Sequence, residues 1–243
     1  MEPVCIVSPP KSKGARALAT HLANTYGVNT ARSQTPVEGM LNIGWGRSSI
    51  IGLNKKLPPN KLWELERCLE KGVTVVPFWT KATDVPIEQD LVVWGRKLNH
   101  TQGLDIIQYG PGGPLTKPNP PRDFYTALIQ KTAEFRVHVF DGLAVRSGTK
   151  IPKPGINYND TPIWNLGSGF EIRYEHPAPE RAKTLAKAAV SALDLNFAAV
   201  DVVQDNSGQC YFLEANTKPG LYGQTLEKYA RKIALKAGWK ETV

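Results

Sequence analysis

Cysteine is scarce and scattered in this chain. Cys5, Cys68 and Cys210 are its three thiols, they sit in apolar settings, and no two stand in a C-x-x-C spacing. That argues against a disulfide framework and reads as reduced core residues of a cytosolic protein. Long apolar runs are also missing: no stretch approaches the ~20 residues needed to span a bilayer. The start, M-E-P-V-C-I-V, has no basic region followed by a long apolar core, so a protein that is neither secreted nor membrane-embedded is expected. There is no internal repeat and no block of Lys and Arg. No Ser/His/Asp or Cys/His arrangement stands out, which speaks against covalent catalysis by a protein nucleophile.

What is there is an ordinary globular composition. A length of 243 residues suffices for one large domain or two small ones with ample core. The net charge is +8 with a pI near 9.3, which favours anionic partners such as nucleotides, nucleic acid or an acidic protein. Because the basic residues are spread along the chain, the charge alone does not choose among these.

The chain opens with a short apolar strand, Val4 to Ser8, broken by Pro9-Pro10-Lys11 before a helix from Ala15 to Tyr26. Met40 to Trp45 reads as a second strand. Lys61 to Lys71 reads as a helix with Leu62, Leu65 and Leu69 on one stripe, ended by Gly72, and Val73 to Phe78 as a further strand. This alternation predicts a small three-layer unit with a largely parallel sheet. Further along, Leu91 to Trp94, Phe124 to Ile129, Phe135 to Phe140 and Leu143 to Val145 are strand candidates, with Asp141-Gly142 as a two-residue hairpin turn. Lys150 to Gly169 is polar, rich in Gly and Pro and unpatterned, and so is expected to be a long functional loop. Pro179 to Leu193 is an Ala-rich helix packing through Leu185, Ala188, Ala189 and Ala192, and a last helix covers about Thr225 to Ala237.

The most informative stretch is D-V-V-Q-D-N-S-G-Q-C-Y-F-L-E-A-N-T-K-P-G, Asp201 to Gly220. Glu214 and Asn216 are two apart, so on an extended strand both leave the same face. Asp205-Asn206-Ser207-Gly208 is dense in turn residues and would fold Asp201 back beside Glu214. Two carboxylates and an amide are hard oxygen donors of the kind Mg²⁺ prefers, and Mg²⁺ commonly completes its shell with substrate phosphates. A surface hairpin carrying these residues with no metal is the plainer alternative.

Set in order along the chain, Asp201, then Glu214 thirteen residues later, then x-Asn216 and Pro219-Gly220, resemble the ATP-grasp superfamily. The similarity is to ribosomal-protein glutamate ligases and D-alanyl-D-alanine ligase, over roughly residues 59 to 237. The resemblance implies an α/β (α+β) fold in which two α+β subdomains grip ATP. Residues 1–58 would form a small Rossmann-like α/β unit before the grasp, 59–126 the first subdomain and 127–243 the second, with the metal site. It implies ATP and Mg²⁺, with Mn²⁺ as an alternative, as cofactors, and Asp201, Glu214 and Asn216 as metal ligands.

The same resemblance suggests roles upstream. Lys61, otherwise a solvated helix-face lysine, would reach the nucleotide phosphates. Arg96 or Lys97 would take the place of the family's phosphate-binding lysine, a choice that counting residues leaves open. Thr101-Gln102-Gly103 would belong to the loop that closes over the phosphates, with His100 either touching phosphate or capping that loop. Thr126 and Leu128 lie on the hinge strand where main-chain groups read adenine. Glu134 would accept from the ribose hydroxyls, or else pair with Lys131 or Arg136. Arg136 and His138 share a strand face, with His138 read as a core histidine. Lys150 would contact the transferred phosphoryl group, and Asn165 would stand near an acyl-phosphate; Arg136, Lys150 and Asn165 make up the expected catalytic set. Ile163 replaces an arginine of the glutamate ligases, and only Gly103 remains of the usual loop glycines.

The activity implied by the resemblance is that of an ATP-dependent carboxylate-amine or carboxylate-thiol ligase, working through an acyl-phosphate and forming ADP and phosphate. The partners would be ATP, a carboxylate and an amine or thiol acceptor, which could be a peptide or protein. No membrane partner is expected, and the +8 charge leaves nucleic acid open. The location would be the cytoplasm, or a host's cytoplasm, since compact ligases of this type are also phage-encoded. The departures in the loop and at Ile163 motivate an alternative, a catalytically degenerate ATP-grasp protein acting as a binding or structural module. A kinase using the same ATP site is a third reading.

Overall fold

The computed structural model describes residues 1–86, 91–98, 106–110, 122–156, 164 and 167–241. Three sheets and four α-helices make up the described part. The first sheet is parallel, with β1 (Val4–Val7) between β2 (Thr30–Ser33) and β3 (Leu41–Gly44). All four residues of β1 are buried, as a strand covered on both faces requires. Helix α1 (Lys13–Tyr26) makes the crossover; the Ser12 side chain caps it by accepting from the Ala15 N–H, and Gly27 ends it in the left-handed conformation at φ +65°.

The second sheet has five antiparallel strands: β10 (Phe170–Arg173), β9 (Leu143–Pro152), β8 (Lys131–Phe140), β11 (Phe197–Asp205) and β12 (Cys210–Asn216), side by side in that order. Its two faces differ because the strands alternate. Phe135, Val137 and Val139 of β8, with Ala198, Val200 and Val202 of β11, join the core beneath α2 (Lys61–Glu70) and α3 (Glu180–Ala192). The opposite face carries Arg136 and His138 of β8 and, in register with them, Asp201 and Ala199 of β11. Between β8 and β9, Asp141 and Gly142 form the expected hairpin turn, both at positive φ, +48° and +73°. The third sheet is antiparallel, in the order β4 (Phe78–Trp79), β7 (Phe124–Ala127), β5 (Val93–Arg96), β6 (Ile107–Tyr109).

Helix α4 (Gly223–Lys236) packs on α1 and closes a second core. There Trp45, Phe140, Phe197 and Tyr229 meet, with ring centroids 5.3 Å apart for Trp45 and Phe197 and 5.5 Å for Phe140 and Phe197. The parallel sheet and the ends of β8 and β11 thus share apolar surface. Asn54 adds a polar tie between them. Fully buried and at φ +54°, it accepts from the Asn196 N–H at 2.8 Å and donates to the Phe197 carbonyl at 3.0 Å.

The structure corrects several sequence-based expectations. Val73 to Phe78 is not one strand of the N-terminal unit: Val75 makes an isolated bridge to Phe212, while Phe78–Trp79 pairs with β7 in another sheet. Pro77, which has no N–H to donate, stands where the chain passes between them. Strands β2, β6 and β10 lie outside the strands expected from sequence; all three are at sheet edges, where short, half-polar sequences suffice because one side meets water. Lys150 is not in a loop but on β9, whose ten residues extend the expected Leu143 to Val145; its inward polar residues belong to the charged face, so no apolar alternation marks it. On α2 the buried residues are Glu64, Leu65 and Cys68, with Leu69 at 55 % exposure. On α3 they are Ala182, Ala186, Ala189, Val190 and Ala192, small side chains that let the helix lie close on the sheet.

Replacing Asn54 by Ala strands the N–H groups of Asn196 and Phe197 inside the protein. A loss of about 3 kcal/mol is expected, read as a lower urea midpoint with unchanged slope.

Candidate active site

The charged face of the five-stranded sheet is built by register. Asp201 on β11 lies directly opposite Glu214 on β12 and opposite Arg136 on β8, with a bulge immediately after Asp201. The Arg136 guanidinium grips Asp201 as a fork, Nε to Oδ1 and Nη2 to Oδ2, both at 2.7 Å. Lys150 from β9 donates to Asp201 Oδ2 at 2.9 Å and also to Glu134 Oε1. Lys131 donates to the other oxygen of Glu134 at 2.6 Å. At the β12 end, Glu214 accepts from Lys61, the first residue of α2, and from the Asn216 amide at 3.1 Å.

Burial makes these pairings matter. Asp201, Glu134 and Lys150 are each 5 % exposed or less. Burial by itself would push the Asp201 carboxyl up, but the Arg136 and Lys150 charges and their hydrogen bonds outweigh it and hold Asp201 well below the usual carboxylate range. Glu214 is likewise held low, its burial overcome by Lys61. Burial would lower Lys150, yet Asp201 and Glu134 keep it above its ordinary value. Lys131 is lowered, chiefly by burial.

Arg96, at the end of β5, comes in from the third sheet. Its Nε donates to the Thr126 hydroxyl at 3.0 Å. Burial depresses it to about 10 against the pull of Glu214 and Glu134, so its charge is felt by the site's carboxylates. Lys97, the next residue, is exposed. Of the hinge residues, Thr126 is buried, and the Leu128 N–H donates to the Val92 carbonyl at 2.8 Å. His138 is fully buried, with Nε2 3.0 Å from the Tyr174 hydroxyl and Nδ1 3.3 Å from that of Tyr229. Burial and then Arg136 push it down to about 3, so it is neutral at pH 7, a core histidine. His100, Thr101, Gln102, Gly103 and Asn165 lie outside the described residues.

Five cations among the described residues, Lys61, Arg96, Lys131, Arg136 and Lys150, thus interact with three carboxylates, Glu134, Asp201 and Glu214, a positive surplus that favours an anion. Among the described residues no group of three or more His, Cys, Asp or Glu could hold a metal ion by itself. Two facing carboxylates with an adjacent amide fit a hard cation that takes part of its shell from another molecule's oxygens, as Mg²⁺ does beside phosphates.

Sequence reasoning missed Glu64. This α2 residue is 8 % exposed and accepts the Ala215 N–H at 3.1 Å, fixing β12 between Glu214 and Asn216. Burial, opposed by that hydrogen bond and reinforced by Glu214, pushes its carboxyl up to about 8. The available signal was an acid interrupting the apolar stripe between Leu62 and Leu65.

No family model matches the chain, and no curated protein matches it. Solved structures do. D-cycloserine synthetase DcsG superposes with a TM-score of 0.65 at 16 % identity, covering 96 % of this chain and 99 % of that one. A Chryseobacterium gregarium RiPP-associated ATP-grasp ligase, in complex with ADP and a leader and core peptide, gives 0.65 at 9 % identity over 97 % of both chains. D-alanine–D-alanine ligase from Bacillus anthracis gives 0.60 at 12 % identity over 96 % of this chain and 92 % of that one. The chain has the ATP-grasp fold.

Because the Glu64 carboxyl sits above its ordinary value of 4.5 when folded, its contribution to stability is fully present below pH 4.5 and is lost as pH rises through about 8. The loss is on the order of a few kcal/mol. Glu64→Gln keeps an acceptor for Ala215 and removes the titration. Its melting temperature should exceed that of the parent above pH 8 and converge with it near pH 4, as thermal scans across pH would show.

Proposed function

We propose that this chain is an ATP-dependent ligase that joins a carboxylate to an amine or thiol through an acyl-phosphate. The observation that carries the reading is the Asp201–Glu214 pair, ringed by a surplus of cations, in a chain whose fold matches ATP-grasp ligases almost end to end. Support for the cofactors comes from a structural neighbour, the ATP-grasp ligase PsnB, solved with a minimal precursor, Mg and ADP. Residues 1–58 would precede the grasp, 59–126 and 127–243 forming its two halves.

In this reading Asp201, Glu214 and Asn216 would hold Mg²⁺, which would supply positive charge to neutralise phosphate oxygens. Lys61 and Arg96 approach the phosphates from α2 and from the facing sheet, and Arg96 rather than Lys97 is the phosphate cation of β5. Lys150, 2.9 Å from Asp201 Oδ2, offsets charge on the transferred phosphoryl group. We assign Glu134 to holding Lys131 and Lys150 in place, since both its oxygens are given to them. Arg136 keeps Asp201 charged and aimed.

The chemistry balances without a protein nucleophile. A carboxylate oxygen attacks the γ-phosphorus, the bond to the ADP oxygen breaks, and the acyl-phosphate forms. An amine nitrogen then attacks the acyl carbon and phosphate leaves, taking up the proton the amine sheds. The peptide-bound neighbours motivate a peptide as one acceptor class.

Calorimetric titration with ATP should show saturable binding that requires Mg²⁺ and is lost in Glu214→Ala. Undiminished binding by that variant would remove the metal assignment. Arg96→Ala should weaken ATP binding about tenfold. A coupled assay across amino acids, peptides and amines should find acceptor-dependent ADP release; binding without release on any of them would point to the degenerate module instead.

A further inference from the structure

The carboxyl edge of the parallel sheet holds three buried donor atoms with no acceptor among the described residues: Ser8 Oγ, Arg32 Nε and Trp45 Nε1. Ser8 is 2 % exposed and Trp45 fully buried. They stand at the ends of the three strands, β1, β2 and β3 in turn, and on the same sheet face. Strand alternation places Ser8 with Ile6, Arg32 with Thr30 and Trp45 with Ile43. That face is the one α1 covers, since Ile6 and Ile43 pack with Leu18 and Leu22, and Thr30 Oγ1 donates to the Ala19 carbonyl.

The first turn of α1 roofs this spot. A Cβ added to Gly14 would stand 3.4 Å from Trp45 Nε1, and Arg32 Nη2 donates to the Pro10 carbonyl at 2.9 Å, just ahead of the helix. Ser12 caps the Ala15 N–H, and the first turn holds no acidic residue, so the helix brings positive potential with no anion of its own. Indole N–H and guanidinium N–H can only donate, and a serine hydroxyl can donate. Donor atoms left without an acceptor of their own select a ligand rich in lone pairs.

This spot adjoins the end of the metal strand. Immediately after Asn216, the Thr217 carbonyl accepts from the Gly46 N–H at 3.1 Å, and the Pro219 carbonyl lies 3.2 Å from where a Gly14 Cβ would be. We propose that the carboxyl edge of the three-stranded sheet, beneath the first turn of α1, binds an oxyanion of the substrate, either a carboxylate or a phosphate group. The substrate role rests on the ligase reading; the oxyanion site itself does not.

Sodium acetate and inorganic phosphate, each matched in ionic strength with sodium chloride, are titrated into the ¹⁵N-labelled full chain without nucleotide, following the Trp45 indole N–H signal assigned by Trp45→Phe. A saturable shift is expected with at least one of the two anions, weakened about tenfold in Arg32→Gln and also reduced in Ser8→Ala, a small change that spares folding. Saturation by acetate alone identifies a carboxylate, and by phosphate alone a phosphate group. A drift identical to that in chloride overturns the site. Loss of ATP–Mg²⁺ binding in Arg32→Gln would place the pocket in the nucleotide grip and overturn the substrate role. Failure of the parent chain to bind ATP would sink the ligase reading while leaving the anion titration interpretable.

Discussion

Asp201 is a carboxylate kept charged inside the protein, and the rest of the site depends on that constraint. A buried ion is tolerated only where its neighbours supply both opposite charge and hydrogen bonds. Here β8 provides the Arg136 fork, β9 provides Lys150, and Lys150 in turn is shared with Glu134, which Lys131 completes. Each member is held by at least one other, so the Asp201 carboxylate is set before any ligand arrives. Preorganised charge of this kind is what phosphoryl chemistry draws on, because little covalent work falls to the protein.

The five-stranded sheet makes this possible by separating its two faces. One face is mainly apolar and packs against α2 and α3; the other collects the ions, and towards α4 it becomes aromatic through Phe140, Phe197 and Tyr229. Helix α2 spans both roles. Leu65 and Cys68 pack into the core, Glu64 holds the Ala215 N–H, and Lys61 reaches Glu214. Packing of one helix therefore couples core stability to the position of the Glu214 carboxylate.

Much of the site was legible in the sequence because its parts are local. The two-residue spacing of Glu214 and Asn216, the turn at Asp205 to Gly208 and the alternation of R-V-H-V-F determine side-chain direction without reference to the rest of the chain. Glu64 was harder to see, since a charged residue on a helix reads as solvated until something is shown to cover it. The edge strands β2, β6 and β10 escape a sequence reading for a related reason: an edge is defined by its neighbour, and T-A-R-S or I-Q-Y carries no apolar pattern of its own.

The sequence by itself determined that Asp201, Glu214 and Asn216 could converge and that the chain was of mixed α/β type. Only the tertiary structure decided that Lys150 stands on a strand between Glu134 and Asp201, that the Arg96 charge feels Glu214 and Glu134, and that Ser8, Arg32 and Trp45 end on one covered edge. The physical reason is that periodicity fixes direction along a strand or helix, whereas burial and pairing depend on what packs against it from elements distant in sequence.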